Sequence, residues 1–183
     1  MSKFTLHKDK SILMVIDIQD RLAQVMNNRE AVITNTVNLI ELAKIYKIPI
    51  VLTEQYPKGL GNTVKEIRDV LHEYKPYEKL AFDCCLEDSI LSRIKDLSRS
   101  QIIVTGMETH ICVLQTVTSL IANGYNVHLV SDAVCSRVEH NWKIGLEMTR
   151  DIGAVITSTE IALFQLLKVA GTEEFKFISK KIK

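Results

Sequence analysis

An α/β fold of three layers, a doubly wound and mostly parallel sheet with helices on both faces, is what the 183-residue sequence predicts. Two patterns predict it. Short apolar runs are near-continuous rather than alternating, as in strands covered on both faces. Between them, apolar residues recur at three- and four-residue steps, the period of a helix with one buried stripe. The two patterns alternate along the chain, the order of a βαβ fold.

The first run, Ile12 to Ile16, ends at Asp17. Ile33, Val37, Ile40 and Ala43/Lys44 then mark a long helix, which Ile48-Pro49 stops because proline disfavours a helical conformation in the preceding residue. Ile50 to Thr53 is the second strand. From Glu54 to about Asp83 no strand is evident: Pro57, Gly59, Gly61 and Pro76 lie near its ends, and Val64, Ile67, Val70 and Leu71 form a weak helical pattern inside. Loops of this length usually carry function. Leu86, Ile90, Ile94 and Leu97 give the next helix, Gln101 to Thr105 the third strand, and Ile111, Leu114, Thr118 and Ile121 a helix closed by Asn123-Gly124. Val127 to Ser131 is the fourth strand, Asn141 to Ile152 a helix, and Ala154 to Thr157 the fifth strand. Ser158 to Val169 is helical, opened by Thr157 and Glu160 at capping-box spacing. FKFISKKIK reads as a short, basic, solvated terminal helix. Without repeat, low-complexity tract or linker, residues 1–183 are expected to be one domain, with its core in about 11–167.

Composition limits the function. With 46% hydrophobic and 25% charged residues, usage is that of an ordinary soluble domain, and folding at this size hides roughly 70% of the chain's surface. A formal charge of +1 gives no global field that would favour nucleic acid or an anionic membrane, so a small-molecule partner is expected. The four cysteines, Cys84, Cys85, Cys112 and Cys135, form no CxxC pair, and the vicinal Cys84-Cys85 is a poor metal half-site, which excludes a zinc ribbon. The apolar run Ile12 to Ile16 is too short for a signal peptide's core or a membrane span. A cytosolic protein with reduced thiols is the expectation.

In open parallel sheets, ligands bind beyond the carboxyl ends of the strands. Two chemically able residues fall there. Asp17 interrupts an apolar run at the end of the first strand, as a helix-starting residue or as a working carboxylate. After the third strand comes Gly106-Met107-Glu108-Thr109-His110-Ile111-Cys112; if Thr109 is the N-cap, Cys112 is the third helical residue. The unpaired N–H groups and the dipole there favour a thiolate, although a buried cysteine is also a common apolar filler.

At these residues the chain resembles the isochorismatase-like cysteine hydrolases, specifically the branch of divergent isochorismatase-domain-containing proteins. The likeness runs from Ser11 to about Leu167 and is carried by Asp17-Ile18-Gln19, by Lys79 to Phe82, and by Gly106, Thr109 and Cys112 in order and spacing; Glu54 to Gly61 resembles the branch. It implies that Asp17 is the general base and later the acid, Lys79 the cationic partner and Cys112 the nucleophile. It further implies a cis peptide at Met107-Glu108, with the N–H groups of Glu108 and Cys112 facing an oxyanion. Lys75 is the rival cation. Gln19, Glu54, Gln55, Tyr56, Phe82 and Thr109 are candidates for the substrate pocket, while Cys84, Cys85, Cys135 and Trp142 read chiefly as packing.

One departure matters. Relatives that hydrolyse nicotinamide hold a metal with an Asp-x-His cluster after the second strand, whereas this chain has Thr53-Glu54-Gln55-Tyr56-Pro57 and no histidine until His72. The expectation is a hydrolase without metal or cofactor, acting on a small amide-like or cyclic molecule through a covalent thiol intermediate, and assembled as a dimer or larger. Vinyl-ether hydrolysis of isochorismate and a catalytically idle scaffold are the alternatives.

Overall fold

Six strands, paired in parallel, form one sheet in the computed structural model, which describes residues 3–182. In chain order these residues form β1 (Ser11–Ile16), α1 (Asp20–Ala23), α2 (Arg29–Ile45), β2 (Ile50–Gln55), α3 (Pro57–Leu60), α4 (Lys65–Val70), β3 (Tyr77–Lys79), α5 (Asp88–Asp96), β4 (Gln101–Met107), α6 (Leu114–Ala122), β5 (Asn126–Cys135), α7 (Glu139–Asp151), β6 (Val155–Thr157), α8 (Thr159–Leu167) and α9 (Glu173–Lys181). The strand order is β3-β2-β1-β4-β5-β6. The chain winds outward from β1 in one direction and from β4 in the other, which puts the topological switch, and the crevice it opens, between those two strands.

β1 shows why the layers form. All six of its residues are buried, and successive side chains point to opposite faces. Leu13 and Val15 join one cluster with Leu39, Ile40 and Leu42 of α2 and with Ala162, Leu163 and Leu166 of α8. Ile12, Met14 and Ile16 join the other, with Ile90 and Ile94 of α5 and Val117 and Leu120 of α6. Each fully buried side chain of this size contributes about 1.5–3 kcal/mol, so a run of apolar residues pays best between two helical layers. No helix among the described residues is long and apolar enough to cross a membrane.

Four details differ from the sequence expectations. β3 lies inside the stretch where no strand was evident; it is three residues long and exists only through its pairing with β2, Thr53 opposite Tyr77 and Gln55 opposite Lys79. β5 does not stop at Ser131 but runs on to Cys135 opposite Met107, past a register irregularity between Val104 and Gly106. The cap of α8 is Ser158 rather than Thr157, its hydroxyl accepting the Ile161 N–H at 3.3 Å. The terminal helix α9 is docked, not wholly solvated: Thr172 caps it and Ile178 is buried in the same cluster as α2.

Gly106 is a backbone requirement. Its φ is +139°, and a Cβ there would stand 2.2 Å from the Ile16 carbonyl oxygen of β1. Gly106→Ala therefore meets both a disfavoured conformation and a backbone clash, and is expected to lose about 2–5 kcal/mol in urea unfolding. A loss below about 1 kcal/mol would show that β1 and β4 can separate without cost.

Candidate active site

Beyond Ile16 the chain turns at once: Asp17 adopts a left-handed φ of 53° and its N–H donates to the Thr53 carbonyl. This turn holds the carboxylate over the switch point, fully buried. Thr53, the fourth residue of β2, donates its hydroxyl to Asp17 Oδ1 at 2.7 Å. The other oxygen, Oδ2, sits 2.7 Å from Lys79 Nζ. That contact is an ion pair without aligned hydrogen-bond geometry, so Oδ2 keeps a lone pair for another donor.

Lys79 arrives from β3, and its ammonium is as buried as the carboxylate. It donates to Gln55 Oε1 at 2.6 Å and reaches the carbonyls of Ala81 and Phe82 at 3.2 Å each. Gln55 is itself held: its amide nitrogen donates to Leu80 O at 2.8 Å, and its backbone N–H donates to Gln19 Oε1 at 2.7 Å. Gln19 completes the clamp by donating to the carbonyls of Gln55, at 3.0 Å, and Gly61, at 2.7 Å. A buried ammonium is tolerable only with such a full set of oxygen partners.

Cys112 comes from the other side of the switch. The chain leaves β4 through the cis peptide Met107–Glu108 and enters a single π-helical turn, Thr109–Val113, before α6. The cap of this turn is Glu108, not Thr109, so Cys112 is the fourth helical residue rather than the third. Wide turns of this kind recur at functional sites. Gly145 of α7 lets that helix lie against the turn, since a Cβ there would come within 3.2 Å of His110 backbone atoms.

The thiol of Cys112, 5% exposed, lies within electrostatic reach of the Asp17 carboxylate and the Lys79 ammonium. Burial is the main force on all three groups. It pushes Asp17 above the usual carboxylate range, against the pull of Lys79 and the hydrogen bond from Thr53. Burial and then the Asp17 charge push the Cys112 thiol up, with Lys79 opposing. For Lys79 burial works downward, but Asp17 and the thiols at Cys84 and Cys112 outweigh it, and the net direction is up. The expectation of a simply acidified thiol is thus replaced by a coupled set. Ammonium, carboxylate and thiol together carry no net charge, and neither do ammonium, carboxylic acid and thiolate. Moving the proton from Cys112 to Asp17 therefore adds no charge to a buried site, and burial that opposes each ionisation alone does not oppose the transfer.

The remaining candidates are distributed differently. Gln19 and Gln55 are internal clamps. Glu54 is buried and occupied by the Thr63 N–H and hydroxyl and by Tyr74 OH, so it pins the loop after β2. Tyr56 and Phe82 are each 52% exposed near the mouth. Thr109 is buried with its hydroxyl unpartnered. Glu108 accepts from Arg137 N at 2.8 Å and Nε at 3.1 Å, which leaves its backbone as the part available to the site. His110 is half-buried, with Nδ1 2.9 Å from Ser136 Oγ. Lys75 is exposed. Thr53 went unnoticed in sequence; the only signal is a hydroxyl at the carboxyl end of an apolar run.

A hollow of about 410 Å³ lies at the opposite edge of the sheet, beside Gln101 and Asn126 where β4 and β5 begin. A second of about 350 Å³ borders the site through Tyr56, Pro57, Lys79 and Leu80. Only the second is near the reactive groups. No group of three or more His, Cys, Asp or Glu among the described residues could hold a metal ion.

A model of the isochorismatase domain matches residues 11–161. The secreted isochorismatase effector Isc1 of Phytophthora sojae is 40% identical over 177 residues, 94% of this chain and 84% of that protein. Isochorismatase domain-containing protein 2 of Danio rerio is 35% identical over 171 residues, 93% of this chain and 85% of that one. Among solved structures, the MAR1 ribonuclease of Caenorhabditis elegans superposes with a TM-score of 0.90 at 34% identity, covering 97% of this chain and 92% of that one. The YcaC gene product of Escherichia coli, an octameric hydrolase of unknown specificity, reaches 0.90 at 19% identity, with 97% and 90% covered, a likeness of fold alone.

Proposed function

The chain belongs to the isochorismatase family, and from that premise we propose that it is a metal-independent cysteine hydrolase of a small amide-like or cyclic molecule. The observation that carries this reading is the meeting of Cys112, Asp17 and Lys79 at the switch point, with the Asp17 Oδ2 lone pair unclaimed by any aligned donor. Asp17 takes the thiol proton, the Cys112 thiolate attacks the electrophilic carbon, and the N–H groups of Glu108 and Cys112 receive the oxyanion. Asp17 then protonates the leaving nitrogen. In the second half it removes a proton from water, which attacks the thioester, and returns that proton to the departing thiolate. Lys79 keeps its charge throughout and offsets that of the carboxylate or the thiolate.

The nematode relative's ribonuclease activity finds no counterpart in this chain's near-neutral charge, since polyanion binders carry a basic stripe. Self-association is part of the proposal: Val138, Ile144 and Met148 on and beside α7, and Ile161 and Phe164 on α8, are apolar and exposed, and the E. coli neighbour is octameric. Four unpaired thiols accord with a reducing compartment such as the cytosol.

The test is a hydrolase screen over small amides, carbamates, hydantoin-like rings and isochorismate, with and without a chelator. A hit should be chelator-insensitive and, after acid quench, add the acyl mass to the Cys112 peptide. Turnover of isochorismate without an adduct would select vinyl-ether hydrolysis instead; chelator inactivation restored by zinc would reject the metal-free mechanism.

A further inference from the structure

We propose that Cys84 is a resolving thiol for Cys112, so that a hydroperoxide entering the site closes an internal Cys84–Cys112 disulfide instead of destroying the nucleophile. The proposal rests on the reading of Cys112 as the reactive thiol; the role of Cys84 is additional to it. Cys84 opens a short 3₁₀ turn, Cys84–Leu86, and is fully buried. Its backbone N–H donates to Thr116 Oγ1 at 3.0 Å. Thr116 lies on α6 one turn beyond Cys112, and helical side chains lean toward the N-terminus, so this bond ties Cys84 over the turn that bears Cys112. Both cysteines also belong to one buried cluster.

The side chains meet around the same carboxylate. Cys84 Sγ lies 4.0 Å from Thr53 Oγ1, and Thr53 donates to Asp17 Oδ1, the carboxylate whose charge also acts on Cys112. Each of Cys84 and Cys112 falls in the electrostatic reach of Asp17 and Lys79, and Cys112 also in that of Cys84. The other two thiols look elsewhere: Cys85 interacts with Asp83 and Cys135 with Glu108. The arrangement therefore selects one partner of three.

In the chemical sequence, the Cys112 thiolate attacks a peroxide oxygen. The O–O bond breaks, the alcohol or water leaves with the proton held on Asp17, and Cys112 becomes a sulfenic acid, oxidised by two electrons. The Cys84 sulfur then attacks that sulfur. The S–O bond breaks, and the Cys84 proton passes through the Thr53 hydroxyl and Asp17 to the departing oxygen, which leaves as water. The result is a disulfide that a dithiol reductant reopens.

The experiment treats the full chain with a several-fold molar excess of hydrogen peroxide, alkylates remaining thiols after denaturation, and maps peptides by mass. Before alkylation the expected product is about 2 Da lighter, a loss that dithiothreitol reverses, and after alkylation the peptides show Cys84 joined to Cys112 with Cys85 and Cys135 alkylated. In Cys84→Ala, and in Cys84→Ser as a second variant, Cys112 should instead gain about 32 Da as sulfinic acid and resist dithiothreitol. A Cys84–Cys85 link, or sulfinic Cys112 in the unmodified protein at the same peroxide dose, overturns the proposal. So does equal dithiothreitol recovery in the Cys84 variants. Because the cross-link is read by mass without substrate, its absence is a separate result from retained turnover by Cys112→Ser, which bears on the catalytic reading alone.

Discussion

Replacing Cys112 by serine is expected to lower turnover of any accepted substrate by at least about 10³-fold while leaving the fold intact. The hydroxyl is near in size to the thiol and occupies the same turn, so unfolding free energy should move by no more than about 1 kcal/mol. Its proton is much harder to remove. A carboxylate poised to exchange a proton with a thiol has no comparable balance with an alcohol, and the neutral tautomer that lets the transfer proceed without charging the site becomes inaccessible. The pH dependence of the unmodified protein should carry the same signature. Asp17 is raised, so the acid limb of kcat/KM lies above the usual carboxylate range: below it the carboxylate is already protonated and cannot accept from the thiol. Lys79 and Cys112 are also raised, so the alkaline limb lies above the ordinary thiol range, and between the two runs a broad plateau. Retained activity in Cys112→Ser, or a limb at the usual thiol pKa, would sink the coupled-proton mechanism.

How much of this was legible in sequence depends on whether a residue's position is set locally or by pairing. β1 and β4 are continuous apolar runs, and the polar residues that end them, Asp17 and the segment around Cys112, necessarily fall on one edge of a parallel sheet. That half of the site follows from patterning. Lys79 does not: Tyr77-Glu78-Lys79 has no apolar run, and becomes a strand only because β2 offers an open edge. Its assignment over Lys75 came from family likeness, and the pairing of Gln55 with Lys79 is the physical reason the ammonium reaches Asp17. The family likeness alone makes Gln19 and Gln55 candidates for the pocket. They turn inward instead, since the backbone of Gln55 at the end of β2 and of Gly61 in the loop beyond it needs partners, and a buried amide supplies both a donor and an acceptor. The cap of the Cys112 turn was displaced by one residue because a π turn has no distinct periodicity over five residues.

Removing one member of the buried ion pair should destabilise the protein unequally, with Lys79→Met costing about 3–5 kcal/mol and Asp17→Asn about 1–3 kcal/mol. The asymmetry comes from what each change leaves behind. In Asp17→Asn the ammonium keeps three oxygen partners, Gln55 Oε1 and the carbonyls of Ala81 and Phe82, enough for its three donors. In Lys79→Met those three acceptors lose their donor together, and the carboxylate loses its countercharge while keeping only the Thr53 hydrogen bond. The pH dependence follows from the sign of the Asp17 shift. A carboxylate raised in the folded state contributes stability that is fully present below its unfolded pKa and lost as pH rises through its folded value. Without Lys79 the folded value rises further, so the Lys79→Met deficit should shrink on acidification, as Asp17 becomes a neutral acid, and reach its full size only above that raised value. Asp17→Asn has no such carboxylate, and its deficit should be less sensitive to acid. The double variant Asp17→Asn/Lys79→Met should lose less than the two singles combined, since it strands neither charge. Urea unfolding of the three variants at pH 5 and pH 8 measures all of this; equal single deficits, or additivity within about 0.5 kcal/mol, would show that the ammonium and the carboxylate are held independently rather than as one neutral unit.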